Sequence, residues 1–337
     1  MKRVLIIQTA FIGDVILATG LIESVRASYP EAKIDFLLRK GNESLLKHNP
    51  HLNEVLIWDK SKGKFKNLIS LLFQVRKNKY DLVLNIQRFF NAGLLCGLSG
   101  AKLRVGFHSN PLAFLFSHQV HHKIPHPAQD QGELGFFHEV QRNHQLLTAI
   151  TNESIPSDKS LRPKLYFSDT EKNKIQDLGL NSPYYVLAPS SVWYTKQWHE
   201  SKWKELIQKL KPHGEIILIG GPDDKAYLDG ISTDVTNLAG KLNLLDSAYL
   251  MAGAKRVFVN DSAPLHLASS VNAKTTAIFC STVPDFGYYP LADDSLLVQR
   301  ERLDCMPCGL HGKKECPQGH FKCALEVDVD AVTQRSF

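Results

Sequence analysis

An unbroken apolar run near the start of the chain constrains the fold more than any other feature. Val4-Leu5-Ile6-Ile7 carries no polar side chain, as is typical of a strand that is buried on both faces in a parallel sheet. A turn at Gly13-Asp14 then leads into a helical stretch over residues 15–28. This opening predicts the first strand and helix of a doubly wound α/β domain.

The same alternation of apolar runs and helical stretches continues through the first half of the chain. Strands are predicted at residues 4–8, 33–38, 55–58, 82–86 and 104–107, and further helices at 65–77 and 89–98. Residues 151–163 are polar and contain prolines, which is typical of a connection between domains.

A second α/β pattern follows that connection. Its strands are predicted at residues 184–188, 215–219, 256–260 and 275–279, and its helices at 200–210, 244–253 and 264–271. A chain of 337 residues is too long for one ordinary core and suits two domains. We therefore expect two Rossmann-like, doubly wound domains, residues 1–160 and 161–337, that face each other across a cleft.

The charge of the chain narrows the class of partner. A formal net charge of +6 and a pI near 8.9 fit an anionic substrate or a membrane surface, but fall short of a nucleic-acid-binding signature. No apolar stretch reaches the roughly eighteen residues that cross a bilayer, and the first residues show no signal-peptide pattern. The expected location is the cytoplasm, and no nucleic-acid partner is expected.

Asp14 follows the first predicted strand. Ligands of open α/β sheets bind beyond the carboxyl ends of the strands, so a carboxylate there is a candidate general base. Its ordinary pKa of about 3.9 makes it a weak base, and we expect enclosure to raise that pKa. The alternative is an acid that caps or begins a helix, and this segment alone leaves both interpretations open.

Two turns in the second half follow predicted strands and carry polar groups. In the first, Ser190 and Ser191 precede a single lysine, Lys196, which can neutralise a phosphate or can simply be a solvated surface charge. In the second, Gly220-Gly221-Pro222-Asp223-Asp224, the glycines allow close approach of the backbone, and an acid can accept hydrogen bonds from a ribose. An ordinary loop with a capping acid is the alternative.

The third turn is the most specific. In Asp261-Ser262-Ala263-Pro264-Leu265-His266, Asp261 or Ser262 can cap a helix that has a proline in its first turn. The backbone amides of Ser262 and Ala263 can then bind an anion at the positive end of the helix dipole. His266 lies on the same helix, and a core histidine is its alternative interpretation.

Four of the six cysteines lie within residues 305–323. Cys305 and Cys308 form a C-x2-C pair, and Cys316 and Cys323 follow it, so the set is a candidate structural zinc site. Reduced thiols or a pair of disulfides are the alternatives, although a cytoplasmic location argues against stable disulfides. Paired acids such as Asp223-Asp224 lie in loops, and we expect no catalytic metal there.

The Gly13-Asp14 turn, the Lys196-Gln197-Trp198 stretch and above all the Asp261–His266 segment together resemble the heptosyltransferases of glycosyltransferase family 9. The order of these motifs matches along nearly the whole chain. The cysteine-bearing tail resembles that of the heptosyltransferases that add the second heptose to the lipopolysaccharide core. The resemblance implies a GT-B fold with an acceptor-binding first domain and a donor-binding second domain. It also implies transfer of heptose from ADP-heptose to the inner core of lipopolysaccharide, without a catalytic metal and at the inner membrane.

The resemblance also implies roles for individual residues. Asp14 matches the general base and Lys196 the lysine that contacts the donor, and a further set matches the donor site: Ser190, Ser191, Leu242, Asp261, Ser262, Ala263 and His266. The acid of the second turn is Asp223 or Asp224, and we assign Asp224. Ser262-Ala263 stands where many relatives have Thr-Gly, and a serine hydroxyl and a backbone amide still suit a phosphate.

Three other classes of protein are alternatives to this transferase. A nicotinamide-dependent dehydrogenase would show a G-x-G-x-x-G turn, which neither half contains. A sugar-nucleotide epimerase, or a transferase of another sugar nucleotide, could use the same scaffold. A non-catalytic binding module would keep its binding activity when Asp14 is replaced by Asn, whereas an enzyme would lose transfer.

Overall fold

The computed structural model describes residues 1–61, 63–125, 138–180 and 182–337. The described residues form two compact units. The first unit contains residues 1–124 and 138–166, and the second contains residue 125 and residues 167–337. Among the described residues, no helix combines the length and apolar character needed to cross a membrane.

The first unit is built from alternating strands and helices. Its strands are β1 (Arg3–Ile7), β2 (Lys33–Arg39), β3 (Leu52–Trp58), β4 (Leu82–Asn85), β5 (Leu103–Phe107) and β6 (His118–Val120). Its helices are α1 (Ile12–Ser28), α2 (Lys64–Lys77), α3 (Phe90–Gly97) and α4 (Glu139–Thr151).

All six strands of the first unit are parallel, in the order β3-β2-β1-β4-β5-β6. The apolar run of β1 therefore lies at the centre of the sheet, and Val4, Leu5, Ile6 and Ile7 are fully buried. Because every strand points the same way, all of the strand ends that precede a helix meet at one edge. We call this edge the carboxyl edge of the sheet.

The second unit repeats this plan. Its strands are β7 (Tyr184–Ala188), β8 (Glu215–Leu218), β9 (Thr236–Asn237), β10 (Arg256–Asn260), β11 (Thr275–Phe279) and β12 (Ser295–Gln299). Its helices are α5 (Asp169–Gln176), α6 (Glu200–Leu210), α7 (Lys225–Ile231), α8 (Leu244–Ala252), α9 (Ala263–Ser270), α10 (Lys322–Leu325) and α11 (Val329–Thr333).

The second sheet is also parallel throughout, in the order β12-β11-β10-β7-β8-β9. Its core joins strand residues such as Tyr185 and Phe258 to Trp198 and Trp203, and to Val332 of α11. The doubly wound α/β class predicted from the sequence is thus present in each unit.

Candidate functional site

Asp14 lies in the first turn of α1, directly beyond the carboxyl end of β1. Its side chain is half-buried. Burial raises the pKa of Asp14 to about 6, and the Glu139 carboxylate adds to this rise, while backbone hydrogen bonds and Arg88 oppose it. A carboxylate with a pKa near the working pH is a stronger base than an ordinary aspartate and is still largely ionised at pH 7.

Glu139, at the start of α4, belongs to a buried ionic cluster. Its Oε2 atom lies 2.7 Å from Nε of Arg142 and 3.1 Å from Nε2 of His122. Burial alone would raise the pKa of Glu139, but Arg142 and the hydrogen bond with His122 outweigh it and lower the pKa to about 2. Glu139 therefore stays ionised, and its negative charge acts on Asp14 at neutral and mildly acidic pH.

Side chains from three other segments hold the backbone that leads into α1. The carbonyl oxygen of Thr9 accepts a 2.9 Å hydrogen bond from Nζ of Lys60, and that of Ala10 accepts one of 3.3 Å from Asn42. The Gln8 side chain accepts a hydrogen bond from Gln87. The turn that positions Asp14 is thus fixed from both neighbouring strands, since these residues follow β2, β3 and β4.

Two arginines of the first unit are already used within the protein. Arg142 pairs with Glu139, and Nε of Arg104 donates to the carbonyl oxygen of Leu115 at 2.9 Å. Arg88 is half-buried and acts on Asp14. Lys62 and residues 126–137 lie outside the described residues.

In the second unit, the turns after β7 and β8 contact each other. The Ser190 hydroxyl donates to Oδ2 of Asp224 at 2.9 Å, and the amide of Gly221 donates to the same oxygen at 2.7 Å. Asp224, rather than Asp223, is therefore the acid that is hydrogen-bonded to the turn after β7. A Cβ atom on Gly220 would lie 2.9 Å from Cβ of Asp224, so this approach requires a glycine.

Leu242 lies just beyond the same turn. The amide of Gly240 donates to the carbonyl oxygen of Gly220 at 3.0 Å, which brings the segment that leads to Leu242 beside the Asp224 turn. Gly240 has φ of +72°, a left-handed conformation that favours glycine. Leu242 is half-buried, so part of this apolar side chain remains accessible.

Lys196 and Asp261 form an ion pair at 2.7 Å, and both side chains are largely buried, with 15% and 7% exposed. The Thr282 hydroxyl donates to the same Asp261 oxygen at 2.6 Å. This pairing places the lysine ammonium beside the segment that starts α9. An ammonium has three donors, so Lys196 can keep Asp261 and still donate to a phosphate.

The sequence suggested that Asp261 or Ser262 caps α9, but neither side chain does so. Ser262 occupies the N-cap position, but its side chain makes no capping hydrogen bond there. The Asp261 carboxylate faces Lys196 and Thr282 instead. The first amides of the helix, including that of Ala263, are therefore not taken by either side chain and suit an anion.

Asn260 ties the first turn to the third. Its fully buried side chain accepts a 3.0 Å hydrogen bond from the amide of Trp198 and donates at 2.6 Å to the carbonyl oxygen of Pro189. Both ends of the turn that carries Ser190, Ser191 and Lys196 are thus held at the end of β10.

His266, on α9, is largely buried, with 6% of its surface exposed. Its ring lies 6.3 Å from that of Tyr288.

The cysteine-bearing segment contacts the turn that carries Lys196. The Thr195 hydroxyl accepts a 2.8 Å hydrogen bond from the amide of Lys313 and lies 3.0 Å from the Ser281 hydroxyl. The Thr195 amide donates to the carbonyl oxygen of Lys313 at 3.1 Å, and the Cys308 amide donates to that of Ser281 at 2.8 Å. Residues 308–313 therefore support the backbone next to Lys196.

All six cysteines are unbridged, and Cys96 and Cys280 are buried as expected. Burial, together with the neighbouring thiols of Cys308, Cys316 and Cys305, raises the pKa of Cys323 to about 12. The four thiols of the tail are thus near one another. Among the described residues, however, no three His, Cys, Asp or Glu side chains are arranged to hold a metal ion.

Sequence reasoning missed Glu139, Thr195, Asn260 and Thr282. The position of Asn260, directly before the Asp261 motif at a strand end, could have indicated it. Glu139 gives no such signal, because it reaches Asp14 only through the packing of α4 against α1.

Comparisons with known proteins identify the family of this chain. Residues 68–320 match glycosyltransferase family 9 (heptosyltransferase). Lipopolysaccharide heptosyltransferase 3 of Escherichia coli K12 is 30% identical over 295 residues, which cover 80% of each chain.

Solved structures show the same fold. The glycosyl transferase family 9 protein of Veillonella parvula DSM 2008 superposes with a TM-score of 0.84 at 17% identity, covering 99% of this chain and 95% of that one. E. coli ADP-heptose lps heptosyltransferase II superposes with a TM-score of 0.73 at 21% identity, with both chains fully covered. The chain therefore has the GT-B fold and belongs to glycosyltransferase family 9, the heptosyltransferases.

Proposed function

We propose that this glycosyltransferase moves heptose from ADP-heptose to the inner core of lipopolysaccharide, with inversion at the anomeric carbon. The observation that carries the proposal is Asp14, a half-buried carboxyl group at the carboxyl edge of the first sheet with a pKa near 6. The similarity to lipopolysaccharide heptosyltransferase 3 and to ADP-heptose lps heptosyltransferase II supports this donor and acceptor. On this proposal the first domain, residues 1–160, binds the acceptor, and the second, residues 161–337, binds the donor.

Asp14 acts as the general base. It takes the proton of an acceptor hydroxyl while the hydroxyl oxygen forms a bond to the anomeric carbon of the heptose. The bond between that carbon and the diphosphate oxygen breaks at the same time, and ADP leaves with the electron pair. Because the hydroxyl attacks opposite the leaving group, the configuration inverts.

The second unit holds the donor. Lys196 and the amides at Ser262 and Ala263 stabilise the charge that grows on the departing diphosphate. Ser190, Ser191 and Asp224 line the neighbouring turns and contact the diphosphate and ribose, while Leu242 packs against the nucleobase. Asp261 orients Lys196 through their 2.7 Å ion pair, and His266 completes the donor motif on α9.

We propose that this transfer needs no metal. The paired acids that could hold a divalent cation are used by the protein, since Asp224 accepts hydrogen bonds from Ser190 and Gly221. Asp294 pairs with Arg256 at 2.9 Å. Any zinc held by Cys305, Cys308, Cys316 and Cys323 would be structural. Elemental analysis of the purified protein would decide between zinc and reduced thiols.

The proposed setting follows from the acceptor. A lipid A-linked acceptor is held in a bilayer, so we propose a protein of the cytoplasm that contacts the inner membrane peripherally. We propose no nucleic-acid partner.

The test replaces Asp14 by Asn and compares it with Glu31→Gln, which changes an exposed acid of the same unit in the same way. Each protein is given ADP-heptose, UDP-sugars or GDP-sugars with heptose-deficient lipopolysaccharide. We expect transfer from ADP-heptose alone, and a loss of roughly 10²–10⁴-fold for Asp14→Asn only.

Three results would contradict the proposal: no transfer from any donor, equal activity of the two variants, or turnover of a sugar nucleotide without an acceptor. The last result would favour an epimerase.

A further inference from the structure

The segment around α2 has an unusual charge pattern. Residues 60–79 contain no Asp or Glu, whereas they contain seven basic residues: Lys60, Lys62, Lys64, Lys66, Arg76, Lys77 and Lys79. A run of one sign within a chain of net charge +6 gives this part of the surface a local positive potential.

The helix in this segment is apolar on two faces. Its inner face buries Leu68, Leu71 and Val75 in the core of the first unit. Its outer face carries Phe65, Ile69 and Phe73, which are 71%, 55% and 68% exposed. Their spacing of four residues places them along one side of the helix.

This outer face is not an ordinary protein surface. The solvent side of a helix in a folded domain normally carries polar residues, and a contiguous exposed apolar stripe marks an interaction site. The neighbouring helix α3, which packs beside α2, begins next to two further exposed aromatic residues, Phe89 and Phe90.

The basic residues beside the apolar stripe indicate which kind of partner binds this face. The acid just before the segment, Asp59, is paired with Lys40 at 2.8 Å, so it does not neutralise the lysines that follow. Two copies of this face would bring like charges together, which disfavours self-association. An apolar stripe flanked by Lys and Arg is instead the pattern of a helix that lies in the interface of an anionic bilayer.

We propose that the outer face of α2 is a membrane-docking surface for a bilayer that contains anionic phospholipid. Phe65, Ile69 and Phe73 insert between the head groups, and the exposed side chains of Lys66, Lys77 and Lys79 contact the lipid phosphates. This inference builds on the membrane contact of the proposed function and assigns it to a defined face.

The position of α2 relates membrane docking to the proposed active site. The helix starts after β3, so Phe65 lies toward the carboxyl edge of the first sheet, where β1 ends and Asp14 follows. Docking through α2 therefore keeps the edge with the proposed base close to a bilayer-held acceptor.

The experiment measures cosedimentation of the purified full chain with vesicles, in the absence of any sugar nucleotide. Vesicles of phosphatidylethanolamine and phosphatidylglycerol are compared with vesicles of phosphatidylcholine. We expect binding to the anionic vesicles that weakens as salt rises, and a loss of about tenfold or more in the triple variant Phe65→Ser, Ile69→Ser, Phe73→Ser. Phe337→Ser is the matched control, since Phe337 is 63% exposed and lies outside the segment.

Circular dichroism melting establishes that the triple variant is folded, and Lys66→Glu with Lys77→Glu provides a second variant that leaves the apolar stripe intact. The proposal is overturned if the wild type does not cosediment with anionic vesicles, or if both variants bind these vesicles as strongly as the wild type does. It is also overturned if light scattering shows a wild-type dimer that the triple variant dissociates, because the stripe would then be a self-interface.

A paired activity assay separates this inference from the proposed function. With acceptor embedded in vesicles, the triple variant should transfer more slowly than the wild type, whereas with a deacylated, water-soluble acceptor the two should be equal. Absence of transfer in both assays, with vesicle binding intact, would contradict the proposed function and leave the docking surface supported.

Discussion

Asp14 differs from an ordinary first-turn acid in its electrostatic surroundings. The amino end of a helix favours a negative charge and lowers the pKa of a carboxyl group there. In this protein burial and the ionised Glu139 outweigh that effect and bring the pKa of Asp14 to about 6. The chain thus holds two neighbouring acids with opposite shifts, as is common where one group must exchange a proton and the other must remain charged.

These shifts predict how transfer depends on pH. Asp14 must be ionised to accept a proton, so kcat/KM of the wild type should fall about tenfold per pH unit below about pH 6. Glu139→Gln removes the negative charge that helps raise the pKa of Asp14 and should move this acid limb to lower pH. Measured pH profiles of the two proteins check the prediction, and an unchanged limb in the variant would contradict it.

The same Glu139→Gln variant should also be less stable, since Arg142 loses its buried ion pair with Glu139. A cost of about 3–5 kcal/mol is typical when one member of a buried ion pair is removed, so the profiles should be measured well below the melting temperature.

At the scale of elements, loops from separate parts of the second unit form one network. The turn after β7 is joined to β10 through Asn260, to α9 through the Lys196–Asp261 pair and to the cysteine-bearing segment through Thr195. The tail therefore contributes to the position of Lys196, although none of its residues needs to contact the donor.

Replacing Thr195 by Val tests this contribution. Valine keeps the shape of threonine but cannot accept the hydrogen bond from the Lys313 amide, so Lys196 should be held less firmly. We expect binding of ADP to weaken by about tenfold, while the pH profile set by Asp14 stays unchanged.

Thr195→Ser is the matched control, because it retains the hydroxyl and should restore most of the affinity. Calorimetric titration with ADP gives the measurement. Equal affinities for the Val and Ser variants would show that the tail does not act through this contact.

The elements that the sequence predicted are those with the strongest apolar pattern. The strands Tyr184–Ala188, Arg256–Asn260 and Thr275–Phe279 and the helix Glu200–Leu210 agree with the predicted bounds. Strands β6, β9 and β12 were missed because they are short or partly exposed at the sides of the sheets. Helix α4 was missed because its buried face carries the polar residues Arg142, Asn143 and His144. These residues interrupt the regular repeat of apolar residues that indicates a helix.

The candidate site could be predicted only in part for a similar reason. The positions of Asp14, Lys196 and Asp261 follow from the rule that ligands bind beyond the ends of parallel strands. The pairing of Thr282 with Asp261, or of Thr195 with Lys313, joins residues that are 21 and 118 positions apart. No local pattern encodes such contacts, because they depend on how whole segments pack.

At the scale of the whole molecule, each unit is a parallel sheet with its first strand near the centre. The first unit continues to residue 166, since the amide of Lys164 donates to the Thr19 hydroxyl at 2.9 Å and the Tyr166 hydroxyl donates to Glu23 at 2.9 Å. The second unit depends on its far end in the same way, because α11 places Val329 and Val332 in its core.

Stability should therefore depend strongly on residues far from the candidate site. Val332→Ala should lower the free energy of unfolding of the second unit by about 1–3 kcal/mol, since Val332 is fully buried. Val192→Ala should have almost no effect, because Val192 is 86% exposed. Urea unfolding of both variants checks this, and equal midpoints would contradict it.

The late position of α11 has a consequence for how the protein is made. All six described strands of the first unit have been synthesised once residue 120 is reached. In the second unit, by contrast, the Tyr185 hydroxyl donates a hydrogen bond to the carbonyl oxygen of Ser336, near the far end of the chain. During translation the first unit can therefore assemble while the ribosome is still at work on the second. The second must wait, with its central strands already exposed, until the final helix emerges from the exit tunnel, and this interval is when chaperones would be needed most.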